Sequence, residues 1–149
     1  MRPGLHAGCA PDFAPSPAAR QMTYLLDTHT FLWLLRDPQM LPAQVREIAA
    51  DPSQVLVLSI VTPWEMAIKA KVGKLEAAAI LDNFEHQIAS AGYSILETTV
   101  RQAIRGGRLP LHHKDPFDRL LAAQSLDLRI PLVSRDNIFD LYGVTRIWA

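Results

Sequence analysis

Hydrophobic positions along this chain fall into two alternating patterns, short apolar runs and longer stretches with helical spacing. The run TYLLD at 23–27 is apolar up to its final acid and predicts a buried strand, as do VLVLS at 55–59 and IPLVS at 130–134. The segment THTFLWLLR at 28–36 places Phe31, Leu34 and Leu35 on one side of a helix, which Asp37-Pro38 closes. Further helices are predicted over 42–50, 62–72, 77–91, 99–105 and 116–126, with Gly73, Gly92 and Gly106-Gly107 placed to stop three of them. Residues 93–97 and 144–148 complete the set of strands. Strands that alternate with helices imply an α/β fold. The expected architecture is a three-layer α/β/α sandwich whose central, mostly parallel sheet has four to five strands.

Residues 1–21 share neither pattern. They hold four of the eleven prolines, two glycines and five alanines. Pro3, Pro11, Pro15 and Pro17 forbid a continuous helix and favour extended, solvated chain. No apolar run of ~7–15 residues marks a signal peptide there. The expectation is a disordered Pro/Ala-rich extension over 1–21 and one folded domain over 22–149, with Met22 a candidate natural start.

Composition narrows the chemistry. The chain has 149 residues, 49% hydrophobic and 20% charged, enough for one domain with a real core. Fifteen Lys and Arg balance fifteen Asp and Glu, which argues against a polybasic nucleic-acid binder that relies on bulk charge. Without the extension the balance is 13 against 14, slightly acidic. The single cysteine, Cys9, rules out a disulfide framework, a cysteine zinc site and a CxxC redox pair. No stretch approaches the ~18 apolar residues that span a bilayer. A cytoplasmic protein that does not enter the membrane is expected.

The acids fall where an open parallel sheet binds ligands, outside the carboxyl ends of its strands. Asp27 ends the first strand, Glu65 follows the second, and Asp136 lies two residues past the strand that ends at Ser134. Asp115 and Asp118 flank the start of the 116–126 helix. Hard oxygen donors without cysteine suit Mg²⁺ or Mn²⁺. Each acid also has a structural reading. Thr62-Pro63-Trp64-Glu65 has the form of a capping box, Asp115 that of an N-cap, and Asp136-Asn137 that of a turn or cap. Asp27 could cap the helix after it, although aspartate is disfavoured at the end of an apolar strand. Their joint placement at one rim is what favours a site.

Other chemistries find less support. Adjacent His112 and His113 could ligate metal but in a basic loop read rather as solvated, and Trp33 and Trp64 read as core. Lys69, Lys71 and Lys74 read as a solvated face or as phosphate contacts, and Arg101, Arg105, Arg108 and Lys114 form a second basic strip. No GxxxxGK[ST], GxGxxG or GxSxG motif is present. A phosphotransfer domain built on an aspartate after the first strand would want a second acid at position 29, where this chain has His29. A non-catalytic binding module would be expected to have lost an acid.

The segments YLLDTHTFLWLL (24–35), SIVTPWEMAIKAKVGKL (59–75), HKDPFDRLLAAQSL (113–126) and IPLVSRDNIFDLYGV (130–144) together resemble the PIN domain, and within it the VapC-like toxins of bacterial toxin–antitoxin pairs. The resemblance implies a compact α/β/α sandwich acting as a Mg²⁺- or Mn²⁺-dependent endoribonuclease on RNA. It assigns the four metal-binding and catalytic acids to Asp27, Glu65, Asp118 and Asp136, with Ser134 as the small hydroxyl residue before the last and Asp115 as accessory. It also implies a cognate antitoxin and a homodimer. An antitoxin would lay an amphipathic segment beside the helices at 31–35 and 62–70 and place a basic side chain near Asp27 and Asp118. The proline-rich extension departs from the family pattern.

Overall fold

In a computed structural model, which describes residues 20–149, five parallel strands form one sheet. Cys9 and almost all of the 1–21 extension lie outside the described residues. In chain order, β1 (Thr23–Leu26) leads to α1 (Thr28–Arg36), a 3-10 turn (Pro38–Met40) and α2 (Ala43–Ala50). Then follow β2 (Val55–Ser59), α3 (Val61–Lys71), α4 (Ala78–Leu81), α5 (Phe84–Ser90) and β3 (Tyr93–Leu96). The chain closes with α6 (Val100–Arg108), α7 (Pro116–Leu128), β4 (Leu132–Val133), a second 3-10 turn (Asn137–Tyr142) and β5 (Arg146–Ile147).

The strand order is β3-β2-β1-β4-β5. Winding therefore runs outward from β1 in one direction and then resumes at β4 on its other side. Beside β1, Leu25 pairs with Leu132 and Leu26 with Val133. The carboxyl ends of β1 and β4 thus flank the topological switch point, where open α/β sheets leave a crevice.

Strand alternation divides the core into two layers. Tyr24, Leu26, Leu56, Leu58 and Val133 face α1 to α5 residues such as Phe31, Leu34, Val45, Met66 and Ile88. Leu25, Val57 and Leu132 face Leu121 and Ala122 of α7 and Phe139 of the second 3-10 turn. Phe31 is fully buried, with edge-on contacts to Phe84 and Tyr93. Each such side chain contributes about 1.5–3 kcal/mol through removal from water.

Three expectations are corrected. The stretch 77–91 is two helices, α4 and α5, because Asn83 takes a left-handed conformation (φ 61°) between them. The apolar spacing continues across that break, so periodicity alone hides it. Gly106-Gly107 does not end the preceding helix, and α6 runs on to Arg108. A Cβ at Gly106 would lie 3.3 Å from Leu120 Cα and 3.5 Å from the Arg119 carbonyl oxygen, so glycine here lets α6 approach α7 closely. Trp64 is not core: it is 60% exposed and packs edge-on against Phe117, with ring centroids 4.9 Å apart. Among the described residues, no helix is long and apolar enough to cross a membrane.

Candidate functional site

The chain leaves β1 straight into α1, and Asp27 is the hinge between them. Its Oδ1 accepts the Thr30 backbone N–H at 2.8 Å, so it does cap α1. The same side chain is buried, 7% exposed, and lines the cleft at the switch point. Burial pushes its carboxyl above the usual aspartate range. Hydrogen bonds from the Ser134 hydroxyl, and then from Thr30, oppose that rise.

Ser134 links two acids. It ends β4, fully buried, and besides donating to Asp27 its Oγ accepts the Asp136 N–H at 3.0 Å. Asp136 caps the second 3-10 turn through Oδ1, which takes the Ile138 N–H at 3.0 Å, and its Oδ2 is left to face the cleft. Asp27 and Asp136 thus each cap a helical turn and also line the cleft.

Asp115 caps α7 by accepting the Phe117 N–H at 2.8 Å, with Pro116 at the first helical position. Asp118, one turn in, reaches the cleft. Its carboxyl is pushed up to about 7, first by burial and next by the Asp115 charge. Glu65 and Asp27 add smaller contributions in the same direction, and His113 opposes them.

Glu65 is placed differently. It lies in the second turn of α3, 6% exposed, and caps nothing: α3 has no side-chain cap. Thr28 donates a 2.7 Å hydrogen bond to Oε1, and Lys69 pairs with Oε2 at 2.8 Å. The capping-box reading of 62–65 is thereby replaced by a tie between α1 and α3. Asp27, Asp118 and Asp136 line one cleft of about 560 Å³, whereas Glu65 is not among its lining residues and acts on it through its charge at Asp118.

His113, which the sequence reads as solvated, instead sits between two of the acids. It is half-buried, and its Nε2 lies 2.9 Å from Asp118 Oδ2 and 3.0 Å from Asp136 Oδ2. Nδ1 accepts the Asp115 backbone N–H at 3.3 Å, which places the proton of a neutral ring on Nε2, facing both carboxylates. The His113 backbone N–H donates to the Tyr142 hydroxyl at 2.8 Å, and that hydroxyl donates to the Pro110 carbonyl at 2.6 Å. The solvated reading holds only for His112, which is exposed and packs against the Tyr142 ring. The available signal was the position of His113 two residues before the cap of an acid-bearing helix.

The donor set fits a hard divalent cation. One oxygen each of Asp118 and Asp136 lies within 4.8 Å of the other and of a His113 ring nitrogen, whose N–H in this tautomer bonds the carboxylates and offers no lone pair to an ion. Besides burial, the charges of Asp115, Glu65 and Asp27 raise the Asp118 carboxyl, a concentration of negative charge that a cation would relieve.

A family model described as PIN domain matches residues 24–144. The chain belongs to the PIN domain family. Solved structures carry the same fold at low sequence identity. A chain of VapBC2 from Rickettsia felis, bound to a promoter DNA fragment, matches with a TM-score of 0.64 at 14% identity, over 86% of this chain and 100% of that one. VapBC-1 from nontypeable Haemophilus influenzae gives 0.62 at 18% identity, over 85% and 97%. DNA-bound VapBC from Salmonella typhimurium gives 0.62 at 19%, again over 85% and 97%. No curated protein matches by sequence. In this PIN domain the cleft and its carboxylates therefore sit on a scaffold shared with VapBC complexes.

Proposed function

We propose that this PIN domain is a Mg²⁺- or Mn²⁺-dependent endoribonuclease, with Asp27, Glu65, Asp118 and Asp136 as its metal-binding and catalytic acids, and that it is the toxin of a toxin–antitoxin pair. The observation that carries the reading is the convergence of Asp27, Asp118 and Asp136 on one cleft at the switch point, with the Glu65 charge acting on Asp118. When bound there, a divalent ion supplies an activated water and stabilises charge on the phosphoryl and leaving oxygens. The protein's own part is positional. Ser134 fixes Asp27 and the backbone of Asp136 relative to each other, and the His113 N–H holds the Asp118 and Asp136 oxygens together. Thr28 and Lys69 orient Glu65.

The fold shared with VapBC complexes supports an antitoxin partner. An acidic cleft would accept a basic side chain from such a partner in place of the cation, through charge-assisted hydrogen bonds. Exposed apolar residues on α1 and α3, Leu35 and Ile68, offer contacts for its amphipathic segment. Homodimerisation belongs to the same reading. The test is incubation of the purified protein with structured and unstructured RNAs, with Mg²⁺, Mn²⁺ or EDTA, alone and after co-expression with the product of the neighbouring open reading frame. Cleavage that requires the metal and is silenced by the co-purifying product is expected. Absence of cleavage from every RNA in either metal overturns the reading.

A further inference from the structure

The loop between α6 and α7 brings His113 to the cleft without regular structure of its own. Its ends are fixed from α7. Arg119 Nη2 donates to the Gly107 and Leu109 carbonyls at 2.9 and 2.7 Å, and Asp115 caps the helix. Between those ends Leu111, His112 and Lys114 are exposed. Among the described residues, Tyr142 is the one side chain from outside the loop that bonds the backbone of 110–114. Its hydroxyl accepts the His113 N–H at 2.8 Å and donates to the Pro110 carbonyl at 2.6 Å, so it acts as acceptor and donor at once. The His112 ring packs on the same phenol, with ring centroids 5.2 Å apart.

Tyr142 ends the second 3-10 turn, and Asp136 caps its start. That turn is a firm support. Phe139 anchors it in the core, and Arg146 of β5 grips Asp140 through two hydrogen bonds at 2.9 and 3.1 Å while donating to the Ser134 carbonyl at 3.2 Å. The contacts close into a ring. They run from Asp136 along the turn to Tyr142, across to the His113 backbone, and back from His113 Nε2 to Asp136 Oδ2 at 3.0 Å. We infer that Tyr142 is a positioning residue for the carboxylate cleft, its hydroxyl setting the loop so that the His113 imidazole meets Asp118 and Asp136 together. This rests on the metal-site reading and adds a residue that does not line the cleft and acts on it through His113. An exposed loop loses conformational entropy when its side chain is held in one place, and two bonds to a turn already packed on the core offset that loss. The ring contact with His112 gives no direction to the His113 backbone, so the hydroxyl sets the geometry.

The experiment compares the full chain with Tyr142→Phe, which keeps the half-buried ring and removes only the hydroxyl. Mn²⁺ affinity is measured by calorimetry, alone and in a His113→Ala background. Loss of a partner that orients ligands commonly costs about 10- to 100-fold, and Tyr142 acts one bond further out, so a loss of about tenfold is expected. In the His113→Ala background the same substitution should change affinity by less than about twofold, because its route to the cleft is already gone. His112→Ala removes the ring contact alone and should also stay within about twofold. A second readout needs no metal. In EDTA, imidazole nitrogen spectra of the unmutated protein should show the His113 ring as the Nε2–H tautomer, and in Tyr142→Phe the two tautomers should average. Unchanged affinity in Tyr142→Phe, an equal loss in both backgrounds, an equal loss in His112→Ala, or an unaltered His113 spectrum overturns the inference. If the unmutated protein binds no Mn²⁺, the metal-site reading fails by itself, and the spectra alone decide whether Tyr142 positions His113.

Discussion

The Nε2 of His113 sits 2.9 Å from Asp118 Oδ2, against a carboxyl that burial and then Asp115 push up to about 7. Between pH ~4 and ~7 the folded protein therefore binds a proton at Asp118 that the unfolded chain has released. Stability must fall as pH rises through that window, the reverse of the usual aspartate behaviour. Asp27, also raised, acts in the same direction. Thermal unfolding in EDTA should show a melting temperature that declines from pH 4.5 to 7.5, with a shallower decline in Asp118→Asn. A melting temperature that rises with pH would contradict the raised pKa.

His113→Ala removes the N–H that holds Asp118 and Asp136 together, and His113→Gln supplies a donor again. Loss of such an orienting partner commonly costs about 10- to 100-fold in metal affinity or activity. Mn²⁺ affinity measured by calorimetry should drop in His113→Ala and recover in part in His113→Gln. Equal affinity in all three proteins would mean that the imidazole does not position the carboxylates.

Thr28 and Glu65 separate structure from chemistry. Thr28→Val leaves Glu65 Oε1 without its buried donor, and this should destabilise the fold by about 1–3 kcal/mol. Glu65→Gln keeps shape and loses mainly a partly exposed ion pair, so its stability cost should be about 1 kcal/mol or less. Its cleavage rate should nevertheless fall by more than about tenfold, as expected of a metal-binding acid. Chemical denaturation and cleavage assays on both variants check the contrast.

The adjacent glycines of α6 should respond with opposite signs. Gly106→Ala drives a methyl against the α7 backbone and should cost about 1–3 kcal/mol. Nothing lies within 4 Å of a Cβ at exposed Gly107, so Gly107→Ala should stabilise by up to about 1 kcal/mol through helix propensity. Urea midpoints of the two variants are the measurement.

The strands and the acids that end them were readable because burial on both faces demands continuous apolar runs, in which a terminal aspartate such as Asp27 stands out. The break at Asn83 and the passage of α6 through Gly106 were not readable. One depends on a single residue's left-handed backbone and the other on a close approach to Leu120, a residue distant in sequence. The capping-box alternative for Glu65 arose because Thr62-Pro63-Trp64-Glu65 satisfies the local pattern, while its partner, Thr28, lies on another helix. His113 was set aside as solvated for a related reason: one of its two carboxylate partners, Asp136, lies 23 residues further along the chain and meets it only in the folded structure.

The central claim is that the carboxylates at the β1/β4 switch point hold the ion that cleaves RNA. Its most direct test is the cleavage rate of a single-stranded RNA by wild type and by Asp27→Asn, with Mg²⁺ and with EDTA, each protein first shown by circular dichroism to be folded. The account predicts cleavage by wild type in Mg²⁺ alone and a loss of at least about 100-fold in Asp27→Asn. Cleavage by folded Asp27→Asn at the wild-type rate, or by wild type in EDTA, would contradict it.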